Sequence, residues 1–290
     1  MRTPATRGGD AYSQVLAQHP ALRSRILRAT GILRRSPVDA LYLTGGIPLG
    51  AYSPEMSDID LVVVLSAAAS AGSAQAAVLG IVDDLPGVAL LLVERPQLSA
   101  PEPEALQVEG SWSRPYALHA MDVILLRDYS VLLFGADCRN EMAAYAASEV
   151  IGSIIDHVVN GMLPGVVAAV RADPTLSLDG SNVVGLTFLM ARCLVTLHTG
   201  QLVSKPMGAR WLRAEARRKP HLTPLAAMAR RFALWYERGL PKTIRPRPIN
   251  AQFPEAAASF VSGVLHYRGI DLGPETLLRG NMFAQYRGRP

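Results

Sequence analysis

The sequence predicts an α+β fold in which an N-terminal domain of strands and helices precedes an all-helical C-terminal domain. Three short aliphatic segments, 40–43, 59–65 and 87–93, have the length and the branched side chains of buried strands. From Glu141 onward, apolar residues recur every three to four positions, which is typical of amphipathic helices. A chain of 290 residues can bury two cores, and we place the division between them at residue 140.

A helical segment precedes the first strand. Between Asp10 and Arg35 the apolar residues have helical spacing, and Pro20 marks either a break or the start of a second helix. We expect this segment to pack against the sheet. The strands then follow in order, and a stretch rich in small residues, ending near Asp84, separates the second strand from the third.

The composition indicates a folded, cationic protein. Apolar residues make up 49% of the chain and charged residues 18%, which is a globular composition and not a disordered one. The net charge is +5 at pH 7, and a positive field of this kind favours an anionic ligand such as ATP. Nucleic acid is a weaker candidate, because basic and aromatic residues are not interleaved as they are in RNA-binding proteins.

The cysteines and the lengths of the apolar runs indicate in which cellular compartment the protein is expected. Cys138 and Cys193 lie in ordinary or apolar contexts, so we expect two free, buried thiols in a reducing cytosol. The first residues lack the apolar core of a secretory signal, and no run reaches the roughly 20 apolar residues that span a bilayer. We therefore expect a soluble, cytoplasmic protein.

The stretch from Tyr42 to Leu65 carries the main functional signal. Asp58 and Asp60 are two residues apart where a strand begins, so their side chains should project to one side while Ile59 faces the core. Two carboxylates this close repel each other, and burying them is costly without a cation. Mg²⁺ offsets that cost, because it prefers one or two carboxylates together with the phosphate oxygens of a substrate.

A glycine pair lies upstream of the two carboxylates. Gly45 and Gly46 would let backbone N–H groups approach a phosphate with no side chain in the way. Taken separately, the glycine pair is an ordinary turn and the acidic pair is a solvated strand edge. Together, between one strand and the next, they predict a site for a metal-bound nucleoside triphosphate.

The spacing of these residues resembles a known signature. G-[GS], followed after a loop by D-h-D-h with h apolar, is similar to the pattern of the DNA polymerase β-type nucleotidyltransferase superfamily. Gly50, Pro54 and S-D-I-D-L resemble the aminoglycoside (streptomycin/spectinomycin) adenylyltransferases more closely. The resemblance implies a nucleotidyltransferase domain with a mixed β-sheet over residues 1–140. It also implies a helical domain over residues 141–290 that binds substrate and nucleotide.

The same resemblance implies a reaction and the residues that perform it. AMP would pass from Mg²⁺-ATP to a hydroxyl group of the acceptor. Asp58 and Asp60 would bind Mg²⁺ and act as catalytic carboxylates. Gly45, Gly46 and Ser57 would contact the nucleotide, although many members of the family carry serine where this chain has Gly46.

A third carboxylate of the family serves as metal ligand and general base. Its position falls on Ala89 in this chain, which supplies no carboxylate. The nearest acidic residue is Glu94, which lies on the opposite face of a regular strand. A β-bulge would be needed to rotate Glu94 into place, and the alternative is that it caps the strand end beside Arg95.

Residues 182–211 resemble a second block of the adenylyltransferases, N-V-x-L-T-x-x-R-x-x-x-T-x-x-T-G-x-[IV]-x-x-K-x-x-A-x-W. Gly200 is placed to end an apolar helix with a left-handed cap. Lys205 follows just before the next helix, where its charge can reach a phosphate. The equivalent lysine of the family contacts the triphosphate, and a solvated surface lysine is the alternative interpretation.

Two residues are candidates for binding the acceptor. Residues 106–112 resemble a family segment that ends in G-E-W, whose tryptophan lies near the aminoglycoside. Trp112 matches that tryptophan, whereas Ser111 replaces the glutamate, and a core position is the alternative for Trp112. Asp179 corresponds to an acidic residue that faces the cationic substrate, and it could equally cap the following helix.

These observations favour an enzyme that adenylylates a small, hydroxylated and cationic molecule. The resemblance implies ATP as co-substrate, Mg²⁺ as cofactor, an aminoglycoside as acceptor and antibiotic resistance as the outcome. We expect a monomer that binds neither membrane nor nucleic acid. Two alternatives are a catalytically impaired relative that binds a nucleotide or another ligand, and a nucleotidyltransferase that acts on a macromolecule.

Overall fold

The computed structural model describes residues 5–54, 57–66, 71–110, 112–172, 180–238, 251–270 and 274. Backbone contacts divide them into two compact units. The first unit comprises the residues up to Tyr52 together with Ser57–Ala146. The second unit comprises the residues from Ala147 onward together with the short segment that starts at Ser53.

A six-stranded sheet forms the centre of the first unit, in the order β5-β4-β3-β2-β1-β6. Its strands are β1 (Val38–Leu43), β2 (Ile59–Leu65), β3 (Val88–Glu94), β4 (Glu104–Glu109), β5 (Trp112–Ala117) and β6 (Val131–Gly135). The pair β2 and β3 is parallel and the other four pairs are antiparallel. The expected α+β class with a mixed sheet is therefore confirmed.

One face of the sheet is covered by helices from the start of the chain. The α-helices of this unit are α1 (Ala5–Gln18), α2 (Pro20–Leu33), α3 (Ala71–Leu79) and α4 (Ala120–Ile124), and a π-helical segment (Leu125–Tyr129) continues α4. Leu22 and Ile26 of α2 share a buried core with Leu61 and Val63 of β2. Each such side chain contributes roughly 1.5–3 kcal/mol by leaving water. Pro20 begins the second helix, as its fixed φ allows.

The opposite face of the sheet is covered over only part of its length. Val62 and Val64 of β2 pack there with Leu118 and Val123, which lie before and within α4. Side chains of a strand alternate between faces, so Asp60 belongs to the same face as Val62. Asp60 is only partly buried. The apolar packing thus ends one row before this carboxylate.

The second unit contains helices and, among its described residues, no strand. They are α5 (Ala147–Ser153), a π-helical segment (Ile154–Met162), α6 (Leu163–Ala172), α7 (Gly180–Thr199), α8 (Lys205–Glu215), α9 (Thr223–Glu237) and α10 (Phe253–Tyr267). α10 lies at the centre, because its residues from Ala256 to Leu265 are all buried. A β-carbon on Gly263 would lie 3.0 Å from side chains of Leu194 and Leu222, so glycine lets α10 approach its neighbours closely.

The continuous helical run Ala147–Ala172 is 26 residues long and apolar enough to cross a membrane by length and composition. The sequence led us to expect no such segment, and among the described residues this is the one that qualifies. Core helices of folded domains meet the same criteria. Buried residues along the run, including Val150, Ile154, Val158, Leu163 and Val167, recur at near-helical spacing, as in a helix with one face on a core.

Candidate functional site

The loop between β1 and β2 is closed by its own backbone. The carbonyl of Gly46 accepts hydrogen bonds from the N–H groups of Leu49 (3.1 Å) and Ala51 (3.0 Å). Thr44 N–H donates to the carbonyl of Asp60 at 2.9 Å, which ties the loop to β2. Ile47 is 1% exposed and anchors the loop in the helix-covered core. The glycine loop is therefore held in one shape beside the first residues of β2.

Gly45 has to be glycine for two reasons. Its φ of +74° lies in the left-handed region, which other residues adopt only with strain. A β-carbon at this position would also lie 2.8 Å from Asp60 Cγ and closer still to Asp60 Oδ2. The Asp60 carboxylate therefore packs directly against the backbone of Gly45.

Gly46 is explained by a different neighbour. A β-carbon there would lie 2.9 Å from the carbonyl oxygen of Ala51, a backbone atom that cannot swing away. Serine, which many members of the adenylyltransferase family carry at this position, would force the loop to shift. Among backbone hydrogen bonds between described residues, neither Gly45 nor Gly46 uses its N–H as a donor to a carbonyl. Both groups thus suit an external acceptor such as a phosphate oxygen.

Asp58 and Asp60 flank a buried residue. Ile59 is fully buried in the helix-covered core, whereas the carboxylates before and after it are partly exposed. Ile59 N–H donates to the carbonyl of Gly87 at 3.1 Å, which fixes the start of β2 against the start of β3. Ser57 is also partly exposed and precedes Asp58 directly. The predicted residues at this end of β2 thus lie within one short, anchored segment.

The parallel pairing of β2 and β3 places Ala89 directly beside Asp60. Glu94 pairs with Leu65 at the opposite end of the two strands, and the register between them is continuous. Five residues of strand separate Glu94 from Ala89, which is about 16 Å. Glu94 has the strand parity of Leu90 and Leu92, which belong to the helix-covered core. The bulge that would have brought Glu94 to the site is absent, so that hypothesis was wrong.

The row that begins with Asp60 continues across the sheet. Ala89 pairs with Glu109 of β4, and Glu109 pairs with Trp112 of β5. Directly paired residues share a face, so Asp60, Ala89 and Glu109 all lie on the partly covered face. The sequence had not indicated Glu109, because β4 and β5 were not predicted as strands.

Trp112 is the first residue of β5, the edge strand, and it extends the row beyond Glu109. Its side chain is 42% exposed, which argues against the core position that the sequence left open. The guanidinium of Arg114 lies 5.6 Å from the centre of the Trp112 ring. Arg114 also donates two hydrogen bonds to Gln107 Oε1, at 3.0 and 2.9 Å. The Trp112 ring is therefore partly accessible to solvent and contacts a cation, Arg114.

The remaining predicted residues lie in the second unit. Gly200 has a φ of +66° and its N–H donates to Thr196 at 2.8 Å, which confirms the left-handed cap at the end of α7. Lys205 is exposed and is the first residue of α8, after the N-cap Ser204. Its charge adds to the positive end of the helix dipole, a combination that favours anions. Asp179 lies outside the described residues.

The donor set at the start of β2 fits Mg²⁺. Among the described residues, no group of three or more metal-binding side chains comes together. Mg²⁺ does not require such a group, since it commonly takes one or two carboxylates and completes its octahedron with water and substrate phosphates. Asp58 and Asp60 offer two carboxylates next to the glycine pair.

Comparison with known proteins supports the fold. No protein-family model matches the chain, and no curated protein matches it. A solved structure that does match is spectinomycin adenyltransferase AAD(9) from Enterococcus faecialis, determined with ATP and spectinomycin. The TM-score is 0.59 at 14% identity, over 82% of this chain and 99% of that one. At this identity the similarity shows a shared fold.

Proposed function

We propose that this protein is a nucleotidyltransferase that transfers AMP from Mg²⁺-ATP to a hydroxyl group of a small molecule, with an aminoglycoside as the acceptor. The observation that carries the proposal is the contact between Asp60 and the backbone of Gly45, with Asp58 two residues away. This contact joins two carboxylates to a glycine pair that has no side chains. The similar structure, named for spectinomycin and determined with ATP, supports the same chemistry.

Each unit has a part in this proposal. The first unit acts as the nucleotidyltransferase domain, where Asp58 and Asp60 hold the metal and the N–H groups of Gly45 and Gly46 bind phosphate oxygens. Bound Mg²⁺ supplies charge neutralisation at the phosphates. Ser57 adds a hydroxyl beside the carboxylates, and Lys205 of the helical unit provides a further positive charge for the triphosphate.

The reaction depends on position and charge. The acceptor hydroxyl attacks the α-phosphorus in line, the bond to the β-phosphate oxygen breaks, and pyrophosphate leaves. Holding both reactants in register supplies much of the rate enhancement. Trp112 offers its exposed ring to the acceptor, and Asp179 is our candidate for a contact to the acceptor's cationic groups. We expect the protein to work as a monomer in the cytoplasm, where ATP and Mg²⁺ are abundant.

The test uses ATP labelled at the α-phosphate, with Mg²⁺ and a panel that includes spectinomycin and streptomycin. We expect label on at least one member of the panel and release of pyrophosphate. Asp58→Asn keeps the shape of the side chain and removes its charge, so transfer should fall about 100-fold or more. Transfer that survives this substitution, or no transfer to any acceptor, would contradict the proposal.

A catalytically impaired relative is the second candidate, and Ala89 favours it. Ala89 lies beside Asp60 and supplies no carboxylate. Binding of Mg²⁺-ATP without pyrophosphate release on the whole panel would support this candidate. Label on protein or nucleic acid, with none on small molecules, would instead identify a macromolecular acceptor.

A further inference from the structure

The proposed reaction needs an acceptor for the proton of the attacking hydroxyl. Asp58 and Asp60 are poorly suited, because a bound divalent cation lowers the proton affinity of its own ligands. The neighbour of Asp60 on β3 is Ala89, which has no titratable group. Another side chain on the same face of the sheet is therefore the natural candidate to receive the proton.

Glu109 lies on that face, in the same row as Asp60. β4 pairs with β3 so that Glu109 is directly opposite Ala89, and Ala89 is directly opposite Asp60. Neighbouring strands are about 4.8 Å apart, so the backbones of Asp60 and Glu109 are about 9.6 Å apart. Glutamate is longer than aspartate by one methylene. The two carboxylates thus flank a shared space above Ala89.

The small side chain of Ala89 keeps this space open. Ala89, Asp60 and Glu109 are all partly exposed, whereas Val62 and Val93 farther along the two central strands are buried under apolar packing. A larger residue at position 89 would fill the gap between the carboxylates. Alanine leaves room there for a hydroxyl group of a substrate.

Glu109 takes part in none of the ion pairs formed between the residues that the structure describes. Arg114 on the next strand directs its guanidinium to Gln107 and over the ring of Trp112. A carboxylate that is not committed to an ion pair is suited to accept a proton.

Trp112 extends the row on the far side of Glu109. It pairs with Glu109 across the β4–β5 hairpin, and its ring is 42% exposed. A ring-shaped substrate lying on Trp112 would extend its hydroxyl past Glu109 toward the metal-binding end of β2. Across the sheet, the row therefore runs from the carboxylate of Asp60, past the space above Ala89, to the carboxylate of Glu109 and then to the ring of Trp112.

We propose that Glu109 is the general base of the transfer, acting on an acceptor hydroxyl that lies above Ala89. This proposal rests on the proposed function. The hydroxyl proton passes to the Glu109 carboxylate as the oxygen forms its bond to the α-phosphorus. The bond from the α-phosphorus to the bridging oxygen breaks, and pyrophosphate carries away the electron pair. Glu109 later returns the proton to water.

The test compares Glu109→Gln with wild type, using α-labelled ATP, Mg²⁺ and the acceptor from the panel that wild type labels best. Loss of a general base lowers kcat by about 10²–10⁴-fold. The KM for ATP should stay near the wild-type value, since Glu109 lies two strands from the metal carboxylates. The acid limb of the pH profile of kcat/KM should disappear. Glu104→Gln, at the other end of the same strand, is the matched control and should leave both parameters unchanged.

A conservative variant separates a chemical role from a structural one. Glu109→Asp keeps a carboxylate in the same row and leaves the space above Ala89 open. We expect its kcat to be at least tenfold higher than that of Glu109→Gln. A Glu109→Gln enzyme that binds Mg²⁺-ATP normally and keeps its kcat and its pH profile would overturn the inference, while the proposed function would stand if Asp58→Asn is inactive. If wild type labels no acceptor, the proposed function and this inference both fail.

Discussion

The carboxylate of Asp60 occupies the space into which a side chain on Gly45 would project, since a β-carbon there would lie 2.8 Å from Asp60 Cγ. This relationship links the glycine loop to the carboxylate pair in a way that can be measured. The glycine is needed for its backbone shape and also for the carboxylate that it accommodates.

Gly45→Ala should abolish Mg²⁺-dependent ATP binding and lower the free energy of unfolding. The left-handed φ of +74° costs about 1–3 kcal/mol for a residue other than glycine, and the new methyl displaces Asp60. Chemical denaturation and calorimetric titration with Mg²⁺-ATP measure the two effects. Gly50→Ala is the matched control, because φ is +75° there and a β-carbon would lie 3.5 Å from Ala11. The control should lose stability and keep ATP binding; equal ATP binding by both variants would contradict the prediction.

Gly46→Ser should lower the stability of the protein without improving nucleotide binding. The serine β-carbon would lie 2.9 Å from the Ala51 carbonyl, so the loop must shift, at a cost of about 1–3 kcal/mol. Thermal unfolding and ATP titration measure the outcome. Gly31→Ser in α2 introduces the same side chain where nothing lies within 4 Å, and it should change stability by less than about 0.5 kcal/mol. Tighter ATP binding by Gly46→Ser at unchanged stability would show that the loop adapts.

Trp112→Ala should impair acceptor binding while the protein remains folded. The side chain is 42% exposed, so its loss removes less buried area than the loss of a core tryptophan, and the free energy of unfolding should fall by about 1–3 kcal/mol. Loss of the aromatic face should raise the KM for the acceptor by about tenfold while the KM for ATP stays the same. Trp112→Phe retains an aromatic ring, so its KM for the acceptor should lie much closer to the wild-type value. An unchanged acceptor KM in Trp112→Ala would remove this residue from the binding site.

The helical unit should become less stable as the pH falls below about 6.5, the ordinary pKa of histidine. Burial lowers the pKa of His198, and the nearby Lys219 cation acts in the same direction. Lys219 Nζ lies 3.0 Å from His198 Nε2, a contact that favours the neutral ring because it can donate only to an unprotonated nitrogen. The Leu194 carbonyl, 2.9 Å from Nδ1, acts in the opposite direction, and burial outweighs it.

The unfolded chain therefore takes up this proton at a higher pH than the folded chain, and stability is lost as pH falls through that interval. Denaturation of wild type and His198→Gln at pH 8 and pH 5.5 measures the effect. The variant should lose less stability over this range. Equal losses in the two proteins would show that His198 does not carry the dependence.

Local patterns were enough to predict how Asp58, Ile59 and Asp60 are buried or exposed at the start of β2. The alternation of Asp58, Ile59 and Asp60 follows from the period of a strand, and their pattern of burial matches it. Gly200 and Pro20 mark helix ends through their own backbone preferences, which act within a few residues. These features are determined by residues that are close together in the chain, so they can be predicted from one sequence.

The row from Asp60 through Ala89 to Glu109 could not be predicted in the same way. It depends on the register of three strands that are remote in sequence, and register is decided by pairing in the folded sheet. The β4–β5 hairpin also gives a weak signal, because β5 is an exposed edge strand that contains Pro115. Without that hairpin, Glu109 has no place in a site.

The central claim is that Asp58 and Asp60 hold a divalent cation that in turn holds the triphosphate of ATP. Calorimetric titration of ATP with Mg²⁺ and with EDTA, on wild type and Asp60→Asn, tests it most directly. Wild type should bind ATP at least tenfold more tightly with Mg²⁺, a difference of about 1.4 kcal/mol, and Asp60→Asn should lose that difference while remaining folded. A variant that retains the full Mg²⁺ dependence, or a wild type that shows none, would contradict the claim.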